Sequence, residues 1–269
     1  MKLSIITINY NNREGLKRTI ESVVNQTFTD FEWILIDGGS TDGSKELIEQ
    51  YSNRFSYWVS EPDNGIYNAM NKGLRAAKGD YLQFLNSGDR LYNAQSLASC
   101  FSYEIAADII YADIILTDGF SEKKLNYPDS LSIKFFFEDT LCHNSTFIRR
   151  GLLQDNPYNE NLKIAADWEF FLKQALNNKT FYHINETIIF YDITGISSRY
   201  NNELEKERSI VIKQLIPQML ITDFMRMAEM EKKLDVDHVK KVLEYGSKNK
   251  LYHKIITAVL LFIGKMDSF

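Results

Sequence analysis

The sequence predicts an α/β fold: a mixed, mostly parallel sheet flanked by helices, followed by a C-terminal helical extension. Three observations predict it. Apolar, β-branched runs alternate with helix-period stretches through the first third of the chain, the pattern of parallel strands joined by helical crossovers. Four of those runs end in polar residues. A composition of 44% hydrophobic residues, with 17 Phe and 15 Tyr among 269, can fill one large core, and only 4 Pro and 13 Gly leave little room for long linkers.

Residues 3–9 read as a buried first strand. Residues 14–26 carry Leu16, Ile20, Val23 and Val24 at helical spacing, and 31–37 form the second strand. Asp42 suits the N-cap of a helix over 44–51. A short third strand is expected over 55–60, a helix over 67–77 closed by Gly79, a fourth strand over 81–86 and a fifth over 108–112. Beyond about residue 120 the pattern loosens. Residues 130–137 and 143–148 fit strands or short helices, 166–176 a helix and 180–191 a strand. From about 202 the sequence turns charged and helical. The expected organisation is one domain over 1–202, in halves of about 1–115 and 116–202, with a helical extension over 203–269.

Composition excludes several functions. A net charge of −5 lacks the basic excess of a nucleic-acid binder. Cys100 and Cys142 are far apart and show no paired spacing, so neither a disulfide nor structural zinc is expected, and a reducing cytoplasm fits. The N-terminal apolar run is too short for a secretion signal, and no stretch reaches the roughly 18–20 apolar residues of a spanning helix.

Open parallel sheets bind ligands beyond the carboxyl ends of their strands. Those ends carry Asn9 and Tyr10, Asp37, Glu61 with Asp63 and Asn64, and Asn86 with Asp89, so polar groups from four strands are expected along one edge. No GxxxxGK[ST] loop is present and no GxGxxG follows the first strand, which disfavours a P-loop nucleotidase and a dinucleotide-binding fold. The second strand runs instead into Asp-Gly-Gly-Ser-Thr-Asp-Gly-Ser over 37–44. A carboxylate at Asp37 can accept from a base N–H or a ribose hydroxyl, and the glycines let a ligand approach the backbone. Asn-Ser-Gly-Asp over 86–89 has two readings: a carboxylate for a hard divalent ion bridging a diphosphate, or an Asx-type turn.

These segments, in order, resemble the inverting family 2 glycosyltransferases, which have the A-type glycosyltransferase (GT-A) fold, a Rossmann-like sheet flanked by helices. The resemblance is carried by Ser-Ile-Ile-Thr-Ile-Asn-Tyr-Asn at 4–11, Ser-Val-Val-Asn-Gln-Thr at 22–27 and Ile-Asp-Gly-Gly-Ser-Thr-Asp-Gly at 36–43. It continues with Glu-Pro-Asp-Asn-Gly-Ile-Tyr-Asn-Ala-Met-Asn-Lys-Gly at 61–73 and Phe-Leu-Asn-Ser-Gly-Asp at 84–89, and covers about 3–200. The Asn-Ser-Gly-Asp form resembles a bacterial branch that builds surface polysaccharides, colanic-acid-type transferases included. The resemblance implies a nucleotide-sugar donor, UDP-linked, bound by the first half, and a saccharide or lipid-linked saccharide acceptor bound by the second. It implies that Asp37 binds the nucleobase, that Asp63, Asn64 and Asn71 line the donor pocket with Asn9, Tyr10 and Asn86, and that Asp89 holds Mn²⁺ or Mg²⁺. Asn86 and Gly88 stand where the family's pattern commonly has carboxylates, so metal binding would rest on Asp89.

Inverting transfer needs a base for the acceptor hydroxyl, a contribution of about 10²–10⁴-fold. Asp167, at the start of a helix pattern, stands where the family carries its base, with Ala166 in place of a common Glu. A carboxylate there also suits a helix N-terminus on electrostatic grounds alone. Glu169 is the second choice, Trp168 can stack on a sugar, and His143 is expected near the acceptor. Arg199, in the loop after the last strand, can reach phosphate. Residues 252–263, with Lys250, Lys254 and Lys265 in or beside them, suit peripheral contact with the inner face of the membrane, or packing on the domain or on a second copy in a homodimer. Two rival readings remain at this point: a nucleotidyltransferase, for which residues 9–13 make a poor loop, and a sugar-binding protein without catalysis.

Overall fold

The computed structural model describes residues 1–102, 105–194, 201–234 and Lys254. The elements are β1 Leu3–Asn9, α1 Arg13–Val24, β2 Phe31–Asp37, α2 Ser44–Gln50, β3 Tyr57–Ser60, α3 Ile66–Ala76, β4 Tyr81–Phe84, β5 Arg90–Leu91 and α4 Ser96–Phe101. They continue as β6 Ile109–Thr117, β7 Glu122–Leu125, α5 Ile133–Glu138, β8 Thr146–Arg149, α6 Arg150–Asp155, α7 Ala166–Leu176, β9 Phe181–Asp192, α8 Asn201–Leu215 and α9 Gln218–Leu234. Two compact units result, residues 1–212 and 213–269.

The sheet order is β3-β2-β1-β4-β8-β6-β9-β5, with β7 paired to β6. β3, β2, β1 and β4 are parallel neighbours, so their carboxyl ends share one edge. β8 runs antiparallel to both β4 and β6, while β6 and β9 are parallel with a bulge near Asp113. β1 is buried along its whole length, which explains its unbroken apolar run: parallel strands are covered on both faces. α1 lays Leu16, Thr19, Ile20 and Val23 against the sheet, a helical stripe. α3 packs so close to β1 that a Cβ on Gly73 would run into Ile6 Cγ2. Tyr67, Phe84, Tyr158 and Phe170 form an aromatic cluster beneath the sheet edge.

Most expected elements appear within a few residues. The uncertain stretches resolve as α5, then a 3₁₀ turn over His143–Ser145 leading into β8. Asp42 is a correction. Gly43, left-handed at φ 89°, is the residue before α2 and offers no side-chain cap. The Asp42 carboxylate instead accepts from Ser44 N at 3.1 Å and from Arg13 N at 2.8 Å, tying α2 to the start of α1. In the second unit, α9 exposes Met219, Leu220, Met225, Met227 and Met230. No helix among the described residues is long and apolar enough to cross a membrane. Residues 252–263 lie outside the described residues except for Lys254, and Arg199 lies outside them altogether.

Candidate active site

Asp37 ends β2 with its side chain fully buried. Its Oδ1 accepts from Asn9 Nδ2 (2.7 Å) and Ser40 Oγ (2.6 Å), and its Oδ2 from Ser40 N (2.9 Å) and Ser60 Oγ (2.6 Å). Burial pushes this carboxyl up, but the hydrogen bonds from Ser40, Ser60 and Asn9 outweigh it and hold the group below its ordinary range. All four acceptor positions of the carboxylate are thus filled from within the chain. Asp37 organises the edge: it draws the ends of β1, β2 and β3 and the loop at Ser40 together. Beside it Tyr10 is 63% exposed, and Asp63 Oδ2 lies 2.6 Å from where a Cβ on Gly38 would be. Asn64 is exposed in the same loop.

A second cluster lies next along the edge. His143 Nδ1 is 2.8 Å from Asp167 Oδ2, and its Nε2 is 2.9 Å from Asn86 Nδ2. The tautomer that satisfies both has Nδ1–H donating to the carboxylate and Nε2 accepting from the amide. Tyr67 Oη donates to Asp167 Oδ1 at 3.0 Å, as does Trp168 N at 2.9 Å. Burial raises the Asp167 carboxyl, and the hydrogen bond and charge of His143, with Tyr67 and Trp168, bring it back below the ordinary range. Burial and the Asp167 charge push the Tyr67 phenol well above its ordinary value. Glu207 of α8 supports this cluster from behind. Its Oε1 accepts from Lys163 N (2.7 Å) and its Oε2 from Ile164 N and Ala165 N (both 3.0 Å), which fixes the segment entering α7.

Asp89 does not behave as an open metal ligand. It is 5% exposed, its Oδ2 accepts from Asn144 Nδ2 (2.6 Å) and its Oδ1 from Asp192 N (2.8 Å). Burial pushes its carboxyl up to about 7, against the opposing pull of those bonds and of His143. A divalent ion of this kind needs about six oxygen ligands. Here the one carboxylate is occupied at both oxygens and Gly88 contributes no side chain. Among the described residues no group of three or more His, Cys, Asp and Glu is arranged for a metal. Residues 86–89 thus form no preformed cation cage by themselves; in this state Asp89 ties β4, the His143 turn and the end of β9 together, and each of its oxygens keeps one further acceptor position.

Three further expectations are corrected. Trp168 is 1% exposed and donates Nε1 to Phe136 O at 2.6 Å, so its ring is core rather than a sugar platform. Glu169 is 4% exposed and paired with Lys173 Nζ at 2.8 Å on the same helix. Asn71 is buried and spends its amide on Tyr158 and Glu160, bracing the 158–160 loop. A cleft of about 750 Å³ opens beside Gly88, lined by Arg18, Glu21, Arg90, Asp118 and Asp192 among others, and Asn9, Asp37, His143 and Asp167 are not among its walls.

Ser40, Ser60, Tyr67, Asn144 and Glu207 were not singled out by sequence reasoning. Tyr67 lies within the 61–73 motif and Asn144 beside His143, so both had a local signal. Glu207 had none.

The sequence model of Glycosyl transferase family 2 matches residues 4–125. A PGL/p-HBAD biosynthesis glycosyltransferase of Mycobacterium bovis is 31% identical over 178 residues, 63% of this chain and 68% of that protein. A glycosyltransferase of Mycobacterium tuberculosis, itself uncharacterized, is 33% identical over 202 residues, 73% of this chain and 77% of its own length. The chain is a family 2 glycosyltransferase. Its fold is that of S. aureus TarS: TarS 1–349 in complex with UDP-GlcNAc superposes with a TM-score of 0.65 at 21% identity, over 81% of this chain and 69% of that one. In a second comparison the chain spans 60% of the length of TarS 1–349 and TarS covers 71% of this chain, with a TM-score of 0.60 at 24% identity. The sheet edge just described is thus the carboxyl edge of a GT-A-type glycosyltransferase fold, and its nucleotidyltransferase rival falls away.

Proposed function

We propose that this glycosyltransferase moves a hexose from a UDP-linked sugar to a hydroxyl of a glycan or lipid-linked saccharide, with inversion at the anomeric carbon, in synthesis of a bacterial surface polysaccharide. The observation that carries the reading is the hydrogen-bonded series Asn86–His143–Asp167–Tyr67, set on the same sheet edge as the Asn9–Asp37 cluster. One end carries the polar strand ends where a nucleotide would sit and the other a group able to take a proton. The donor class is supported by the UDP-GlcNAc complex of TarS, a fold relative. Residues 1–115 form the donor half and 116–202 the acceptor half, with 203–269 as the C-terminal extension.

Within the donor half, Tyr10 and Asp63 meet the nucleotide at the mouth beside Gly38. Asp37 shapes that mouth by holding Ser40 and Ser60. Asn86 meets the sugar-phosphate end. Inversion requires one displacement, in which the acceptor oxygen attacks the face opposite the leaving diphosphate. The acceptor proton passes to the His143–Asp167 couple. A divalent ion bound with the donor diphosphate would be held at Asp89 and would offset the charge of the leaving diphosphate.

Transfer from radiolabelled UDP-glucose, UDP-galactose and UDP-N-acetylglucosamine to lipid-linked acceptors, with and without Mn²⁺, tests the reading. The anomeric configuration of the product is read by NMR. Asp167→Asn is expected to lower kcat by about 10²–10⁴-fold while UDP still raises the melting temperature. Near-wild-type turnover in that variant sinks the assignment of Asp167. Absence of transfer from every donor, with UDP still bound, favours a sugar-binding protein without catalysis.

A further inference from the structure

We propose that His143 is the positioning residue for the proton-accepting carboxylate: with its ring held by Asn86, it fixes Asp167 so that one lone pair of Oδ2 is left open to the acceptor hydroxyl. This rests on the glycosyl-transfer reading above.

A carboxylate offers about four acceptor positions. Asp167 Oδ1 accepts from Trp168 N at 2.9 Å and from Tyr67 Oη at 3.0 Å, which fills it. Tyr67 has one hydroxyl hydrogen and also lies 2.6 Å from Ile164 O, so that hydrogen is divided between two acceptors. Oδ2 has one partner, His143 Nδ1 at 2.8 Å. His143 is therefore the side chain that commits a whole hydrogen to this carboxylate. The remaining acceptor position is on Oδ2, and the Asp167 side chain is 15% exposed, so a hydroxyl can reach it.

The imidazole is itself fixed at both nitrogens. Donation from Nδ1 leaves Nε2 as an acceptor, and Asn86 Nδ2 fills that lone pair at 2.9 Å. With both nitrogens spent, the ring takes no proton from the acceptor and cannot turn without losing a bond. Its main chain is pinned as well: Gln83 Nε2 donates to Asn144 O at 2.8 Å, and Thr146 Oγ1 donates to His143 O at 2.8 Å. The direction of Oδ2 is thus set from the edge of β4, through Asn86 and His143, and not by α7 alone.

The same bond keeps the carboxylate a base. Burial raises the Asp167 carboxyl, and the hydrogen bond from His143 is the largest pull in the other direction. The other titratable or charged groups facing Asp167 are Tyr67 on α3, Tyr158 in the loop before α7, Cys142 ahead of the 3₁₀ turn, and Arg208 on α8. Burial pushes both phenols and the thiol upward, so these three stay neutral. A base acts only while deprotonated, so turnover is lost as pH falls through the Asp167 value. Without His143 that value rises, and the acid limb of the rate profile moves to higher pH. In the step itself the acceptor oxygen bonds to the anomeric carbon as its hydrogen moves to Oδ2. The bond from that carbon to the donor phosphate oxygen breaks, and its electron pair leaves with the nucleoside diphosphate. The carboxylic acid then returns the proton to solvent.

His143→Ala and His143→Asn in the full chain separate positioning from simple packing. An asparagine amide nitrogen stands where Nδ1 does, so it keeps the donor to Oδ2. His143→Ala is expected to lose about 10²-fold in kcat and His143→Asn to stay within about tenfold of wild type, with the donor KM little changed in both. The acid limb of kcat should move to higher pH in the alanine variant and stay in place in the asparagine variant. Nitrogen NMR of the imidazoles gives a second readout, simple to assign with four histidines in the chain. His143 should show the neutral ring with its hydrogen on Nδ1. Equal turnover and equal acid limbs in the two variants, or an Nε2–H or doubly protonated His143, would overturn the proposal. Should His143→Ala fail to fold, the NMR result and the His143→Asn profile decide, and a loss of about 10²-fold in His143→Asn counts against it. The NMR measurement needs no turnover, so it bears on the Asn86–His143–Asp167 series alone. Failure of the wild-type chain to transfer sugar from any donor would instead remove the underlying reading.

Discussion

Replacing Glu207 with alanine strips three consecutive backbone N–H groups of their acceptor at once. Glu207 is 9% exposed, and the donors, Lys163 N, Ile164 N and Ala165 N, lie 2.7, 3.0 and 3.0 Å from its oxygens. A hydrogen bond to a charged group contributes about 1.5–3 kcal/mol. The three share one carboxylate and are not additive, and water can reach the outer two, so the expected loss is about 3–5 kcal/mol rather than the full sum. For a unit of this size that lowers the melting temperature by about 6–20 °C. The segment leads within two residues to Asp167, and a misplacement of about 1 Å at a reacting centre can cost about 10²-fold in rate. Thermal melts and steady-state kinetics on Glu207→Ala and Glu207→Gln check both parts. The glutamine keeps oxygen acceptance on one side and should lose about half the stability of the alanine variant. An alanine variant that melts within 2 °C of wild type (a margin of about 1 kcal/mol or less) and turns over normally would refute the view that α8 holds the entry to α7.

Two other outcomes follow from the geometry. Asp89 has its carboxyl raised from an ordinary 3.8 to about 7 by burial, so its contribution to stability is fully present at low pH and is lost as pH rises from about 4 to 7, by up to about 4 kcal/mol. Asp89→Asn removes that loss, since Asn144 can turn its unpartnered Oδ1 toward the new amide; urea midpoints should show the variant gaining on wild type between pH 5 and pH 8, and a constant difference would count against the buried charge. Gly38→Ala puts a Cβ 2.6 Å from Asp63 Oδ2 and 3.1 Å from Tyr10 Cδ2, so the KM for the donor should rise about tenfold, about 1.4 kcal/mol, with kcat little changed. An unchanged KM would mean the nucleotide does not use that mouth.

Much of the polar strand edge was legible because it is local. β1, β2 and β4 are parallel, so residues that follow short apolar runs arrive at one edge whatever the details of packing. Asn9, Asp37 and Asn86 could be placed there from strand periodicity alone. Their partners could not, because a hydrogen bond such as Ser60 Oγ to Asp37 Oδ2 depends on the register of β3 against β2, in which Ser60 pairs with Asp37. Helix boundaries were also readable, except where Gly43 took the left-handed turn and released Asp42 to α1.

What the sequence by itself determined is the family and the order of the sheet's polar ends, because motif order and strand periodicity are properties of neighbouring residues. Only the tertiary structure decided which of the singled-out side chains remain available for chemistry. Asp89, Trp168, Glu169 and Asn71 have the right types in the right places, yet each is engaged by partners 32 or more positions away or by its own helix. His143 and Asp167, 24 residues apart, form a couple only because the 3₁₀ turn before β8 and the start of α7 meet at the edge of β4. The physical reason is common to both results. Burial and hydrogen bonding set whether a carboxylate or imidazole is a structural tie or a reactive group, and both are fixed by contacts across the fold rather than along the chain.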